Sequence, residues 1–279
     1  FEDVRRDLME KYGWSNETAV DLLYNAGYTI YATIDPEIQA IAESVYEDVS
    51  NLDVQNSKGD QLQSAITIMD PYTGDILATV GGIGEKTGNR VGSYATARRP
   101  CGSAIKPVSV YAPAIENGVI TPADVYDDYP VSLNNYGTGG YPKNSPTRYR
   151  GLMTIDRAVR LSSNTVAVRV LRELSFAASY DFMVNNLGFE LDSADLAEAP
   201  LAMGGLTYGV TTVEMAAAFS AFANDGIYNE PRSYTQVLDA DGNVLLDNTD
   251  SSSRSWVAMK ETTAYQINQM LKGVVSSGT

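Results

Sequence analysis

Gly102-Ser103-Ala104-Ile105-Lys106-Pro107 carries the sharpest chemical pattern in the chain. Residues three apart on a helix share a face, so the Lys106 amine is expected beside the Ser103 hydroxyl. Proline is tolerated near a helix start, where its missing N–H is least needed, so Pro107 places Ser103 at or next to a helix N-terminus. Free N–H groups and the positive end of the helix dipole stabilise developing negative charge there. A serine activated by lysine is one of the few nucleophiles available without histidine. As a base, the amine must fall from its reference pKa of ~10.4 toward neutrality, and three units cost about 4 kcal/mol. Ser-x-x-Lys alone is also a common solvated surface pair, so a second element is needed.

Composition removes the competitors. The 279 residues contain no histidine and one cysteine, Cys101. A Ser-His-Asp triad, a Cys-His dyad, a histidine or four-cysteine zinc site, an internal disulfide and a CxxC pair are therefore all excluded. Any general base must be Lys, Asp, Glu or Tyr, and neither a metal nor a cofactor is expected. Twenty Lys and Arg against 35 Asp and Glu give a net charge of −15, which argues against nucleic acid. With 44% apolar and 20% charged residues the chain can bury a core. No stretch reaches the ~20 apolar residues of a membrane span, and Phe1-Glu2-Asp3-Val4-Arg5-Arg6 has no signal-peptide pattern. Targeting information is expected to be absent or to lie in a further N-terminal part.

The second element is Leu161-Ser162-Ser163-Asn164-Thr165, in the gap between two helical patterns. Ser and Asn are favoured N-caps, which is the plainer reading. Paired with the upstream Ser-x-x-Lys, a hydroxyl here could relay a proton while an amide orients a substrate peptide bond.

Around these motifs, residues 1–25 read as short helices broken at Gly13, with Ser15 an N-cap. Tyr28 to Ile34 reads as a strand, and Asp35-Pro36 opens a helix with Ile38, Ile41, Ala42 and Val45 on its apolar face. Ala65–Met69 and Ile76–Val80 form a hairpin across Asp70-Pro71-Tyr72-Thr73-Gly74. A helical pattern runs from Pro107 to a stop at Gly118, kinked at Pro113, and residues 121–150 read as a long surface excursion. Helices follow near 155–161 and through Val166, Val170, Leu171 and Leu174. Thr211-Thr212-Val213-Glu214 is a capping box for another, ending at Asn224-Asp225-Gly226. Tyr234–Leu238 and Val244–Leu246 flank Asp241-Gly242 as a second hairpin. The last helix carries Ala264, Ile267, Leu271, Val274 and Val275 on one face and stops at Gly278. Strands at both ends with helices between them predict an α+β domain.

At this point the sequence resembles a known family, the transpeptidase domain of class A, bifunctional penicillin-binding proteins. Gly27-Tyr28-Thr29-Ile30-Tyr31-Ala32-Thr33-Ile34-Asp35-Pro36-Glu37-Ile38-Gln39 is similar to the family's opening segment. Met69-Asp70-Pro71-Tyr72-Thr73-Gly74-Asp75-Ile76-Leu77-Ala78 is similar to its first core hairpin. Asn89-Arg90 and then Arg99-Pro100-Cys101-Gly102-Ser103-Ala104-Ile105-Lys106-Pro107 resemble its approach to the nucleophile. Ala199-Pro200-Leu201-Ala202-Met203-Gly204 and Ala221-Phe222-Ala223-Asn224-Asp225-Gly226 continue the likeness.

The resemblance implies a penicillin-binding transpeptidase-like α+β fold, related to the serine β-lactamases. An antiparallel sheet packs with helices and is joined to a mostly helical subdomain. Residues 1–26 are expected as an interdomain segment and 27–279 as the domain. It further implies that Ser103 attacks the penultimate D-Ala carbonyl of a peptidoglycan stem peptide ending in D-Ala-D-Ala. Lys106 would be the base and Ser162 the proton shuttle. Asn164 would bind the substrate amide, and the Ser103 backbone N–H would contribute to the oxyanion hole. β-Lactams would acylate Ser103, and the protein would work outside the cytoplasmic membrane, anchored through an N-terminal region.

Two departures stand out. Cys101 sits where the family usually has proline and reads as a small packing residue. The family's Lys-Thr-Gly strand is expected shortly after Val274-Val275-Ser276-Ser277-Gly278-Thr279, where the sequence stops. Lys86-Thr87-Gly88 has the right letters in the wrong place. The sequence is therefore expected to be a fragment, weak or inactive alone, whose remaining C-terminal part completes the site, for instance as another chain. Two other readings use the same serine and lysine. One is a β-lactam-binding or sensing module that acylates without turning over, and the other is a D,D-carboxypeptidase or serine β-lactamase.

Overall fold

The computed structural model describes residues 1–86, 88, 92–131 and 142–278. Thr87 of the displaced Lys-Thr-Gly, and Asn89 and Arg90 of the approach segment, lie outside the described residues. The chain forms an α+β fold of antiparallel sheets and helices, and its residues group into two compact units. One comprises Phe1–Thr96 with Asn229–Ser255, the other Ala97–Tyr228 with Trp256–Thr279.

In the first unit a three-stranded antiparallel sheet runs in the order Thr29–Ala32, Tyr234–Leu238, Val244–Asp247. Val4 and Leu8, on one face of the helix Glu2–Tyr12, pack with Tyr234, Val237 and Leu246 into its core. Residues 1–26, set apart in the sequence as an interdomain segment, thus contribute to this core. The helix ends at Gly13 in the left-handed region (φ 68°), and Ser15 caps the next helix by accepting from the Thr18 N–H. Asp35 caps Pro36–Glu47 by accepting from the Glu37 and Ile38 N–H groups. The apolar face read for that helix is corrected here: Ala42 and Tyr46 are its buried positions, whereas Ile41 is 66% exposed. The hairpin Ile66–Met69 and Ile76–Val80 forms as expected. On its outer edge the Gln39 side-chain amide bonds both the N–H and the carbonyl of Thr79, standing in for a neighbouring strand.

The second unit is built around a buried helical segment. It begins as a 3₁₀ turn, Gly102–Ile105, widens into a π turn, Pro107–Tyr111, and finishes as the α-helix Ala112–Glu116. Its start at Gly102 puts Ser103 in the first turn, as read from sequence, and prolines account for its changing pitch. Pro107 cannot donate to Ser103, so the Ser103 carbonyl accepts from the Lys106 N–H in a tighter turn. Pro113 cannot donate to Ser109, and the Ser109 carbonyl accepts instead from the buried Ser179 hydroxyl at 2.5 Å. Val108, Val110, Tyr111, Ala112 and Ala114 are almost wholly enclosed, with Asn164–Leu174, Glu198–Met203 and Glu261–Ser277 packed around the segment.

Two readings change in this unit. The stretch 121–150, taken as a surface excursion, contains a strand, Val125–Asp128, paired antiparallel with Gly151–Thr154, and it ends on a fully buried Asp128. In the last helix Met270 joins Ala264 and Ile267 inside, while Val275 is 91% exposed. The Thr211–Glu214 capping box forms as read.

Candidate active site

Ser103 lies in the first turn of the buried helical segment, where backbone N–H groups have no carbonyl behind them to bond. Its side chain is exposed, whereas Lys106, one turn on, is 2% exposed. Gly204 holds this turn from behind. It caps Glu198–Met203 with φ 72°, and a Cβ built on it would stand 2.2 Å from the Gly102 carbonyl oxygen. Two backbones therefore meet with no side chain between them. Just upstream, Arg99 exchanges backbone hydrogen bonds with Val210, and Arg98 pairs with Glu214 at 2.8 Å and Glu190 at 3.0 Å.

The loop Leu161–Ser163 delivers the second motif. Ser163, rather than Ser162, is the N-cap of Asn164–Leu174, accepting from the Val166 N–H. Ser162 is left with a left-handed backbone (φ 49°), a conformation that non-glycine residues seldom adopt outside functional turns.

Lys106 Nζ donates to the Ser162 carbonyl at 2.8 Å, to Ser162 Oγ at 3.1 Å and to Asn164 Oδ1. The structure thus joins Lys106, Ser162 and Asn164 directly, and the Ser103 hydroxyl is not among the acceptors of the Lys106 amine. Burial pushes the amine from 10.5 down to about 7. A neutral amine keeps two N–H groups and gains a lone pair. It can then hold two of these acceptors while accepting a proton from a hydroxyl.

Asn164 is placed differently from a residue that simply binds an incoming amide. Its Oδ1 faces Lys106, its Nδ2 donates to the Lys143 carbonyl at 2.7 Å, and its N–H donates to Asn144 Oδ1 at 2.8 Å. Cys101 is partly buried, and burial raises its thiol to about 11, which keeps it protonated and suits a packing residue. Among the described residues no cluster of His, Cys, Asp and Glu could hold a metal, and no helix is long and apolar enough to cross a membrane.

Sequence reasoning missed Asp128 and Asn144, which lie directly behind the Ser162-Ser163-Asn164 segment. Asp128 accepts from Asn144 Nδ2, Ser163 Oγ and Thr165 Oγ1 on one oxygen and from the Arg150 N–H on the other. Burial alone would raise its pKa, but these donors together hold it below the usual carboxylate value. In sequence the only hint of a strand here is the short Val125-Tyr126 pair.

Comparison with known proteins follows the same span. Residues 64–279 match the penicillin binding protein transpeptidase domain family. Penicillin-binding protein 1A of Clostridium perfringens strain 13 is 32% identical over 99% of this chain and 43% of its own length. Penicillin-binding protein 1F of Bacillus subtilis strain 168 is 32% identical over 99% of this chain and 36% of its own length. The chain therefore spans less than half the length of these relatives. The structure of PonA1 from Mycobacterium tuberculosis superposes with a TM-score of 0.76 at 23% identity, covering 96% of this chain and 67% of that one. The D,D-transpeptidase domain of a peptidoglycan glycosyltransferase from Eggerthella lenta gives 0.69 at 22% identity, over 93% and 70%. A family match that contains Ser103, Lys106, Ser162 and Asn164, on a backbone shared with solved transpeptidase domains, makes this chain a member of the penicillin-binding protein transpeptidase family.

Proposed function

We propose that the chain carries the acyl-transfer site of a peptidoglycan D,D-transpeptidase, with Ser103 as nucleophile. One observation carries the reading: Lys106 is enclosed and held near neutrality in contact with both Ser162 and Asn164. An enclosed amine drawn down to about 7 has its lone pair within reach near neutral pH, the state a general base requires.

In this reading Ser103 Oγ attacks the carbonyl carbon of the penultimate D-Ala while its proton passes to Lys106 Nζ. The Ser103 N–H stabilises the oxyanion. The C–N bond then breaks, and the departing D-Ala amine takes a proton returned from Lys106 through Ser162 Oγ. An amine of a neighbouring stem peptide attacks the resulting ester. The C–O bond to Ser103 breaks, the serine recovers a proton, and a cross-link remains. Asn164 holds the lysine in place and has a second Nδ2 N–H to offer the substrate amide.

β-Lactams would acylate Ser103 by the same route, and the solved complex of M. tuberculosis PonA1 with penicillin V shows such a ligand on a protein of this fold. The substrate places the work outside the cytoplasmic membrane, with anchoring through an N-terminal region. Labelling of the full-length protein with a fluorescent penicillin tests the reading. Covalent label that withstands denaturation and disappears in Ser103→Ala supports it, and wild-type protein that takes no label overturns it.

A further inference from the structure

We propose that Asp128 is the positioning residue of this site, fixing the Ser162-Ser163-Asn164 segment against Lys106. The inference rests on the acyl-transfer reading for its purpose and on geometry for its substance. Asp128 is fully buried, and among the described residues no cation neutralises it. A buried carboxylate without a counter-ion is costly unless hydrogen bonds replace its hydration. Here four donors among the described residues do so. Oδ1 accepts from Asn144 Nδ2 at 2.6 Å, Ser163 Oγ at 3.0 Å and Thr165 Oγ1 at 2.5 Å, and Oδ2 accepts from the Arg150 N–H at 2.9 Å.

The identity of the donors gives the network its meaning. Ser163 lies between Ser162 and Asn164, and Thr165 follows Asn164, so both flanks of Asn164 are tied to one carboxylate oxygen. Asn144, held by the same oxygen, accepts the Asn164 N–H at 2.8 Å. Asn164 and Ser162 in turn supply the three acceptors that Lys106 has among the described residues. A path of direct hydrogen bonds therefore runs from the strand end at Asp128 to the lysine amine. Among the described residues no direct hydrogen bond or ion pair joins Asp128 to Lys106. Asp128 acts through the place it gives to its donors. A carboxylate suits that task because a single Oδ1 takes three donors, and charge-assisted hydrogen bonds are roughly twice as strong as neutral ones.

The test uses Asp128→Asn in the full-length protein, with Thr165→Val as a milder variant that removes one donor at nearly constant shape. Rapid-mixing acylation by a fluorescent penicillin separates the preceding binding constant from the acylation step. Amide hydrogen exchange at Asn164 and Val166 is compared with that at Val170 and Leu171. We expect Asp128→Asn to slow the acylation step about 100-fold while binding changes less than about threefold, as misplacement of reacting groups does. We expect faster exchange at Asn164 and Val166 with the helix interior unaltered. Thr165→Val should share the defect, and the double variant should be far less than additive. The proposal is overturned if folded Asp128→Asn acylates at the wild-type rate, if activity falls only with the folded fraction, or if Asn164 stays as protected as before. Wild-type protein that fails to acylate overturns the acyl-transfer reading instead, and exchange at Asn164 still decides the role of Asp128.

Discussion

The carbonyl of Ser162 accepts a hydrogen bond from Lys106 Nζ at 2.8 Å, and it does so from a backbone held in the left-handed region at φ 49°. The residue therefore offers the lysine two oxygens of different standing. One belongs to the chain and survives any substitution, and the other belongs to the side chain.

Substitution at Ser162 separates the two. Ser162→Gly keeps the carbonyl and removes both the hydroxyl and the left-handed penalty of roughly 1 kcal/mol. Acylation by a fluorescent penicillin should slow about 100-fold, the lower range for losing a positioned proton carrier. Urea unfolding should show the glycine variant more stable than Ser162→Ala. Equal stability of the two would mean that the conformation carries no strain.

The pH dependence follows from Lys106. Burial draws its amine down to about 7 in the folded protein from the 10.5 of a free lysine. Acylation should fall tenfold per pH unit below about 7 and level off above it. The linked stability change has a definite sign. Between about 7 and 10.5 the unfolded chain binds the extra proton, so this group's contribution to stability rises with pH across that window. Lys106→Met should lose labelling and flatten that rise in urea titrations. A rate profile level from pH 5 to 9 would exclude Lys106 as the base.

The two backbones that meet behind Ser103 make a sharper test of packing. Gly204→Ala adds a methyl that would lie 2.2 Å from the Gly102 carbonyl oxygen, at a residue with φ 72°. Gly13→Ala adds one at φ 68° with nothing within 4 Å. The second change should cost about 1 kcal/mol and leave labelling intact. The first should cost more than about 2 kcal/mol and impair labelling of the protein that remains folded. Equal costs in denaturant titrations would show that the turn can give way.

Ser179 offers a stability prediction without a chemical one. Its hydroxyl supplies the hydrogen bond that Pro113 denies the Ser109 carbonyl. Ser179→Ala should cost about 1–3 kcal/mol for a buried acceptor left unpaired. The variant's folded fraction should label with penicillin at the normal rate.

Much of this molecule is legible before folding because local rules decide it. Ser15, Asp35 and Thr211 announce their helices, and Gly13 and Gly118 end theirs, through hydrogen bonds made within a few residues. Ser103 and Lys106 are legible because one helical turn relates them, and Ser162 and Asn164 because their types match a need that the missing histidine leaves open. Asp128 is not legible, since its four partners among the described residues arrive from 16 to 37 residues away and two adjacent aspartates in a polar stretch look like solvated surface. Ile41 and Val275 fail for a related reason. Helical spacing marks which residues share a face, but tertiary packing decides whether that face is covered.

The Gly204–Gly102 approach has a consequence for how this site can vary. Because the turn carrying Ser103 rests on bare peptide, no side-chain exchange at Gly204 can nudge the hydroxyl gradually, and larger residues there collide with main chain. Any change in how Ser103 is presented must therefore come from residues beside the turn, while the two main chains behind it stay in contact.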